Sequence, residues 1–166
     1  MTGYTTIDSP LGELLVVGDV EGRLRSVSFL DEAVGTALRS RIDGDRTPAV
    51  FASAERQLRE YFAGERTSFE LDYDTRGTPF QERVWAALAG IPYGQTISYG
   101  KLAEQLGAPR DRIRAVGAAV GANPLLILRP CHRVVGADGS LTGYAGGVHR
   151  KHDLLTLEGA LQPQLI

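Results

Sequence analysis

The 166-residue sequence predicts an α+β protein, with an antiparallel β-sheet and helix first and a mostly helical part after it. Short β-branched runs separated by turn residues occupy the N-terminal stretch, which is typical of a β-meander. After residue 77, apolar residues instead recur at helical spacing. Because charged and turn residues cluster at 73–77, we place a domain boundary there and predict domains at 1–76 and 77–166.

Sheet strands and helices are both predicted in the N-terminal domain. The strands of the meander are expected at 4–7, 14–17 and 24–29. Apolar spacing then predicts helices over 31–42 and 51–62, the second of which ends at Gly64. A final apolar run predicts one more strand at Phe69–Tyr73.

The C-terminal domain opens with a helix whose start is marked by Thr78 as N-cap, a proline at the first position and Gln81 at the third. Trp85 lies on its apolar face and is expected in the core. Helices over 98–106 and 110–122 are separated by a Gly-Ala-Pro turn, which is the outline of a helix-turn-helix. Such outlines also recur by chance. In addition, the small residues of the second of these helices equally suit packing inside a protein.

Charge is distributed unevenly along the chain, although the net charge is only −2. Residues 1–70 contain 8 Lys and Arg against 12 Asp and Glu, whereas residues 91–151 contain 8 against 3. A local basic surface attracts a polyanion such as nucleic acid, and a solvated basic face without a partner is the alternative. The N-terminus lacks the features of an export signal and no run approaches membrane-spanning length, so we expect a cytoplasmic protein.

The only cysteine, Cys131, lies between a proline and a histidine and is a candidate nucleophile. We expect His132 and Arg133 to lower its pKa by placing positive charge beside the sulfur. The apolar run 125–128 predicts a buried strand that holds the cysteine rigidly. The alternative is that Cys131 is a small buried side chain with no catalytic role. One cysteine also excludes an internal disulfide framework and a thiolate zinc cluster, which fits a reducing compartment.

A base, and an acid that orients it, would complete a Cys-His-acid arrangement around this thiol. His132 is adjacent, and Glu158 follows on an amphipathic C-terminal helix, where a solvated glutamate is the alternative. The glycine-rich loop 143–147 contains Tyr144 and can form a pocket wall, but it lacks the spacing of a phosphate-binding loop. The three histidines do not form a ligand set, so no metal site is predicted.

Several of these segments together resemble the methylated-DNA–protein-cysteine methyltransferases, also called O6-alkylguanine-DNA alkyltransferases. The resemblance is specific over 78–160 and covers the N-terminal sheet in outline only. The matching motifs are Arg114-Ala115-Val116-Gly117, Asn123-Pro124, Pro130-Cys131-His132-Arg133-Val134-Val135, Gly143-Tyr144-Ala145-Gly146-Gly147 and Leu155-Thr156-Leu157-Glu158-Gly159. The resemblance implies an RNase H-like N-terminal domain and a winged helix-turn-helix C-terminal domain.

The resemblance also implies a role for each matching residue. At the thiol, Cys131 would be the acceptor thiolate, His132 its base acting through a water, Glu158 the carboxylate that orients His132, and Asn123 a brace for the turn before the cysteine. The residues implied to bind DNA or the flipped base are Arg114 with Ala115, Tyr99, Tyr144, the Ala145 amide, the Val134 carbonyl and Lys151.

The implied substrate is O6-alkylguanine in double-stranded DNA, with O4-alkylthymine as a second substrate. The protein would bind from the minor groove as a monomer, with cooperative binding on DNA left open. The implied reaction is an in-line displacement at the alkyl carbon, with guanine as the leaving group. Since a thioether is a poor leaving group and no second thiol exists, each molecule would act once and without a cofactor.

Three features depart from the family pattern. Arg129 replaces an aliphatic residue before the Pro-Cys pair, and must reach solvent or DNA or find a buried partner. Ile113 replaces a small alanine, and a single cysteine cannot build the structural zinc site of some relatives. Two other functions stay open: a lesion sensor that flips alkylguanine without repairing it, which would lack the cysteine, and a thiol hydrolase, which would leave the helix-turn-helix unexplained.

Overall fold

The computed structural model describes residues 2–32, 36, 39, 44–108 and 110–161. These residues form two compact units, one from the described parts of 1–75 with 124–128 and one from those of 76–123 with 129–166. Within the described ranges, no helix combines the length and the apolar character that crossing a membrane requires.

The sheet of the first unit is the predicted antiparallel meander. Its strands are β1 (Thr2–Ile7), β2 (Leu14–Asp19) and β3 (Leu24–Phe29), in that spatial order. Side chains of β1 alternate between half-buried and buried, as on a strand that covers the core with one face. Every residue of the central strand β2 is buried, and its backbone is paired with a neighbouring strand on each side.

Helix α1 (Ala52–Phe62) packs in this unit after a short 3₁₀ turn at Pro48–Phe51. It buries Leu58 and Tyr61 completely, and the chain leaves the helix at Gly64, whose φ of +76° suits glycine. The predicted helix over 51–62 is therefore confirmed. The helix predicted over 31–42 falls largely outside the described residues.

The strand predicted at Phe69–Tyr73 is wrong apart from one bridge between Tyr73 and Leu24. The buried side chain of Gln57 instead bonds both backbone groups of Glu70. Its Oε1 accepts from the Glu70 amide (2.9 Å) and its Nε2 donates to the Glu70 carbonyl (3.1 Å). Because a side chain satisfies these backbone groups, the segment needs no strand partner there.

The buried strand predicted at 125–128 is also wrong, because the segment turns. Leu125 forms one parallel bridge to Val27, and the Leu126 amide donates to the Val27 carbonyl (3.1 Å). The φ of Ile127 is +71°, in the left-handed region that β-branched residues rarely adopt. The Leu128 amide then donates to the carbonyl of Leu126 (2.8 Å), so extended pairing does not continue.

The second unit is mostly helical, as predicted. Its described elements are α2 (Pro79–Leu88), β4 (Ile97–Ser98), α3 (Tyr99–Gln105), α4 (Ile113–Gly121), β5 (Val134–Val135) and α5 (Val148–Leu157). The two short strands pair in parallel. Trp85 is buried on α2, and its Nε1 donates to the Ala119 carbonyl on α4 (2.8 Å), so it joins two helices in the core as expected.

Helices α3 and α4 form the predicted helix-turn-helix. The side chain of Ser98 caps α3 by accepting from the Lys101 amide (3.1 Å), and Gly107 in the turn has a φ of +67°. The predicted helix over 110–122 differs at its start, where Arg110–Arg112 form a 3₁₀ turn before α4 begins. The backbone of Arg112, with φ −98° and ψ 2°, interrupts the α-helical dihedral angles at that point.

The capping box at the start of α2 allows a direct test of its stability. The Thr78 hydroxyl accepts from the Gln81 amide (3.1 Å), and the Gln81 side chain accepts from the Thr78 amide (2.9 Å). We expect Thr78→Ala to lower the free energy of unfolding by about 1 kcal/mol, because an N-cap hydrogen bond is lost. Urea unfolding followed by Trp85 fluorescence measures this, since Trp85 lies on the same helix.

Thr67→Ala is the matched control for this measurement. Thr67 is an exposed threonine outside any helix, and its replacement is expected to change the unfolding free energy by less than about 0.5 kcal/mol. Equal effects of the two substitutions would contradict a stabilising role for the capping box.

Candidate active site

A cavity of about 300 Å³ in the second unit brings much of the predicted site together. This is the small end of the range for ligand pockets, roughly 300–1,000 Å³. Its lining residues come from α3, α4, the turn that holds the cysteine and the glycine-rich loop. They are Tyr99, Gly117, Val120, Gly121, Cys131, Thr142, Gly143, Tyr144 and Ala145.

Cys131 is the first residue of a 3₁₀ turn, Cys131–Arg133, and is only 5% exposed. Burial raises the pKa of its thiol to about 11, and it outweighs a hydrogen bond from the Asn123 side chain and the positive charge of Lys151. The prediction of a lowered thiol pKa is therefore wrong. The sequence pattern indicated nearby positive charge, but it did not reveal how deeply the sulfur is buried.

The charge of Arg133 is directed at Glu158 instead of the sulfur. Its Nε donates to Glu158 Oε1 (2.7 Å) and its Nη2 donates to Oε2 (2.9 Å), so the two side chains form a bidentate, charge-assisted ion pair. The remaining Nη1 donates to the Ile91 carbonyl (2.6 Å). Glu158 is buried at the C-terminal end of α5, so this pair joins the cysteine turn to that helix.

His132 is completely buried and shares the same carboxylate. Its Nε2 lies 2.8 Å from Glu158 Oε2. Burial lowers the pKa of the imidazole, against the opposing effect of Glu158, so the ring is neutral at pH 7. A neutral ring that donates from Nε2 has its lone pair on Nδ1, and Nδ1 is buried without a hydrogen-bond partner among the described residues.

Asn123 closes the turn that precedes the cysteine. Its Nδ2 donates to the Arg129 carbonyl (3.1 Å), and the Cys131 amide donates to the same carbonyl (2.7 Å). The buried Asn123 side chain also hydrogen-bonds the Cys131 thiol. One side chain therefore contacts both ends of the short segment Arg129–Cys131 and restricts where the sulfur can lie.

Tyr99, Thr142 and Lys151 form a second cluster at the cavity. The Thr142 hydroxyl donates to the Tyr99 Oη (3.1 Å), and the buried Lys151 donates from Nζ to the Thr142 carbonyl (3.2 Å). The Lys151 Nζ also lies 6.0 Å from the centre of the Tyr99 ring. Burial lowers the pKa of this lysine.

Four of the predicted DNA-binding or base-binding residues are outside the described lining of the cavity: Arg114, Ala115, Val134 and Lys151. Arg114 is exposed on α4, and Ala115 beside it is half-buried. Val134 begins β5 and is fully buried. The structure thus groups Tyr99, Tyr144 and Ala145 with the cysteine, and it leaves Arg114 and Ala115 on the outer surface of the same helix that forms a cavity wall.

Arg129 has a partner that the sequence did not reveal. Its guanidinium lies 5.0 Å from the centre of the Trp85 ring, which is a cation–π contact. The side chain is half-buried and is not part of the described lining of the cavity. The contact with Trp85 is one of the interactions that accommodate an arginine two positions before the cysteine.

Two protein-family models match the chain. One, described as the ribonuclease-like domain of 6-O-methylguanine DNA methyltransferase, matches residues 3–75, and the other, described as the DNA binding domain of that enzyme, matches residues 79–160. The chain belongs to the 6-O-methylguanine DNA methyltransferase family. Membership confirms the family resemblance seen in the motifs and the predicted α+β class.

The family relatives match over nearly the full length of the chain. The methylated-DNA–protein-cysteine methyltransferase of Mycobacterium tuberculosis is 50% identical over 163 residues, which are 98% of this chain and 96% of the relative. That of Methanosarcina acetivorans is 45% identical over 158 residues, 95% of this chain and 98% of the relative. A crystal structure of Mycobacterium tuberculosis OGT in complex with DNA has a TM-score of 0.86 at 49% identity, covering 95% of this chain and 93% of that one.

Some residues at the site were missed by sequence reasoning. Arg133 was expected beside the sulfur, and its pairing with a carboxylate 25 residues away has no local signal. Thr142 has no sequence signal of its own, because a single threonine beside a glycine-rich loop belongs to none of the motifs. Gly117 and Gly121 line the cavity. The run of small residues on their helix indicates that another surface can approach this helix closely.

The raised thiol pKa predicts how Cys131 reacts with a small alkylating reagent. Only the thiolate reacts, and a raised pKa means that the thiolate is lost as the pH falls below about 11. We expect the rate of modification by iodoacetamide, measured by intact mass, to rise about tenfold per pH unit and still be rising at pH 10. The urea-unfolded chain is the control and should level off near an ordinary cysteine pKa, about 8.5. A plateau at or below that pH in the folded protein would contradict the burial argument.

Glu158→Gln tests the buried ion pair. Arg133 is 6% exposed, and the substitution removes its counter-charge, so we expect a loss of about 3–5 kcal/mol in unfolding free energy. Trp85 fluorescence in urea measures this loss, and adding Arg133→Met should recover part of it. The control Glu104→Gln, at an exposed glutamate on α3, should stay within about 0.5 kcal/mol of wild type. A cost for Glu158→Gln as small as the control's would overturn the assignment.

Proposed function

We propose that Cys131 is the residue that accepts the alkyl group in this protein. As a member of its family, the chain is a methyltransferase that repairs O6-methylguanine in DNA by transfer to a cysteine. The sequence contains one cysteine, and that cysteine lines a cavity in the unit matched by the DNA-binding model. This single observation supports the assignment most strongly.

The thiol needs a base, because a pKa of about 11 leaves only about 1 in 10,000 molecules ionised at pH 7. His132 is proposed as that base, and its neutral ring and lone pair on Nδ1 support the role. The proton passes from the sulfur through a water to Nδ1. Glu158 acts as the orienting group, since its contact with Nε2 selects this tautomer and favours the charged imidazolium that results.

The transfer itself is a displacement at carbon. The Cys131 thiolate attacks the alkyl carbon, the bond from that carbon to O6 breaks, and its electron pair stays with guanine. Guanine takes up one proton, equivalent to the one that the thiol gave to His132, so the products are unmodified guanine, an S-alkylcysteine and a neutral His132. A thioether is a poor leaving group and the sequence has no second thiol, so each molecule acts once. Nothing in these steps requires a cofactor.

Chemistry on a base requires that the base leave the duplex, because the reacting atom is otherwise inaccessible. We propose that the flipped base enters the cavity between Tyr99 and Tyr144, with the Ala145 amide at its O6 edge. The Val134 carbonyl and Lys151 complete the set by family resemblance, Val134 as acceptor for the guanine amino group. The volume and lining of the cavity support entry of one base.

Double-stranded DNA is the proposed partner, bound by the helix-turn-helix through the minor groove. Arg114, exposed on α4, fills the space left by the flipped base, and Ala115 lets the helix approach closely. The relative from Mycobacterium tuberculosis that was crystallised with DNA supports this partner. We propose binding as a monomer, with cooperative binding between neighbours on DNA as a further feature.

The remaining expectations follow from this function. We propose O4-alkylthymine as a second substrate, since it also presents an alkylated oxygen on the pairing edge of a base. We propose domains at 1–76 and 77–166, with all the chemistry in the second. A cytoplasmic location is proposed because the reaction consumes a reduced thiol.

Intact-protein mass spectrometry tests the acceptor. Incubation with a duplex that contains one O6-methylguanine should add one CH₂ to the wild-type chain, and peptide mapping should locate it on Cys131. The adduct should stop increasing at one per chain. Cys131→Ser should gain no mass. A wild-type chain that binds the lesion without gaining mass would instead be a lesion sensor, and would disprove the proposal.

Two controls sharpen this experiment. The same duplex with unmodified guanine should leave the mass unchanged, which separates lesion repair from general reactivity of the thiol. Ser140→Ala alters a hydroxyl in the turn after β5, outside the described lining of the cavity, and should gain the adduct at the wild-type rate.

A further inference from the structure

Thr142 is the one polar side chain in the described cavity lining to which the family resemblance assigned no role. It directly precedes the glycine-rich loop 143–147, between β5 and α5, and it lines the cavity together with Tyr99 and Cys131. Its side chain is exposed, so it contributes little to the core. Both its hydroxyl and its backbone carbonyl nevertheless form hydrogen bonds with residues of the site.

The hydroxyl contact determines what the Tyr99 phenol can do. Thr142 Oγ1 donates to Tyr99 Oη at 3.1 Å. A phenol has one proton, and an oxygen that accepts from Thr142 keeps its own proton for another acceptor. Tyr99 lines the cavity, so that proton is available to an acceptor atom of a base that enters it.

The tyrosine ring is positioned by other contacts. Tyr99 is the first residue of α3, and its ring edge lies 3.8 and 3.9 Å from where a Cβ of Gly117 would be, so it packs closely against α4. The Lys151 Nζ also lies 6.0 Å from the ring centre. These contacts position the aromatic ring. The hydroxyl of Tyr99 has a different partner, because it is hydrogen-bonded by Thr142.

The backbone contact separates the role of the hydroxyl from that of the loop. The Thr142 carbonyl accepts from Lys151 Nζ at 3.2 Å, and this contact does not depend on the side chain at position 142. Replacing threonine by valine therefore removes the hydroxyl but keeps the shape and the tie to the buried lysine. Entry of a base would displace water from the cavity, and a hydrogen bond strengthens when water is excluded.

We propose that Thr142 is a positioning residue for the known reaction, which orients the Tyr99 hydroxyl so that it donates to the flipped base. This inference rests on the proposed function, because it requires that the base enter this cavity. Thr142 acts through Tyr99 and takes no part in the bond changes at Cys131. Serine can replace it, whereas valine and alanine cannot.

The test is a double-mutant cycle on single-turnover methyl transfer. The protein is held in excess over a duplex that contains one O6-methylguanine, at saturating concentration, and the CH₂ adduct on the chain is followed by intact mass. The variants are T142V, T142S, Y99F and Y99F/T142V, with T67V as the matched control at an exposed threonine in the first unit. T142A is a second variant that lacks the hydroxyl. Trp85 fluorescence checks that each variant is folded.

We expect T142V and T142A to react about fivefold more slowly than wild type, as for loss of one hydrogen bond worth about 1 kcal/mol. T142S should stay within about twofold of wild type, and T67V should match it. In the Y99F background, T142V should cause no further loss, because the hydroxyl it would orient is already absent.

Several results would overturn the inference. One is a T142V rate equal to wild type, and another is the same fivefold loss in the Y99F background, which would indicate that the loop itself had been disturbed. T142S reacting as slowly as T142V would also contradict it. These outcomes require an active wild-type chain, so they differ from a wild type that gains no adduct, which would overturn the proposed function and this inference together.

Discussion

The arrangement around the cysteine depends on one buried carboxylate. Glu158 accepts one hydrogen bond from His132 and two from Arg133, residues that directly follow Cys131 in the chain. It stands at the end of α5, so these bonds hold the cysteine turn against a helix. A buried carboxylate that is paired and hydrogen-bonded on both oxygens tolerates little displacement, because each lost bond leaves a buried polar group unsatisfied.

Burial sets the protonation state of the site at rest. It raises the pKa of the Cys131 thiol and lowers those of the His132 ring and the Lys151 amine, because it favours the neutral form of each group. A protonated thiol is a weak nucleophile, which suits a side chain that one reaction consumes. A neutral imidazole is at the same time able to act as a base. In the proposed mechanism, reactivity therefore depends on proton transfer to His132 more than on a permanently ionised sulfur.

Local sequence signals predicted the local structure well. The three strands of the meander, the capping box at Thr78 and the helix-turn-helix all depend on residues within a few positions of each other. The two strand predictions that failed depend on distant partners. Gln57 satisfies the backbone of Glu70, and the Leu126 amide donates to Val27 before the chain turns at Ile127, whose positive φ apolar composition does not signal. The helix-turn-helix likewise contains a 3₁₀ turn that spacing alone did not indicate.

The sequence by itself determined which thiol can react, since Cys131 is the only one, and which family the chain resembles, through motifs of a few residues each. Only the tertiary structure decided the partners of these residues and the sign of the thiol pKa shift. Arg133 pairs with a glutamate 25 positions away, and Tyr99 with a threonine 43 positions away. The physical reason is that desolvation and side-chain pairing depend on which segments pack together, and a local pattern of residues does not contain that information.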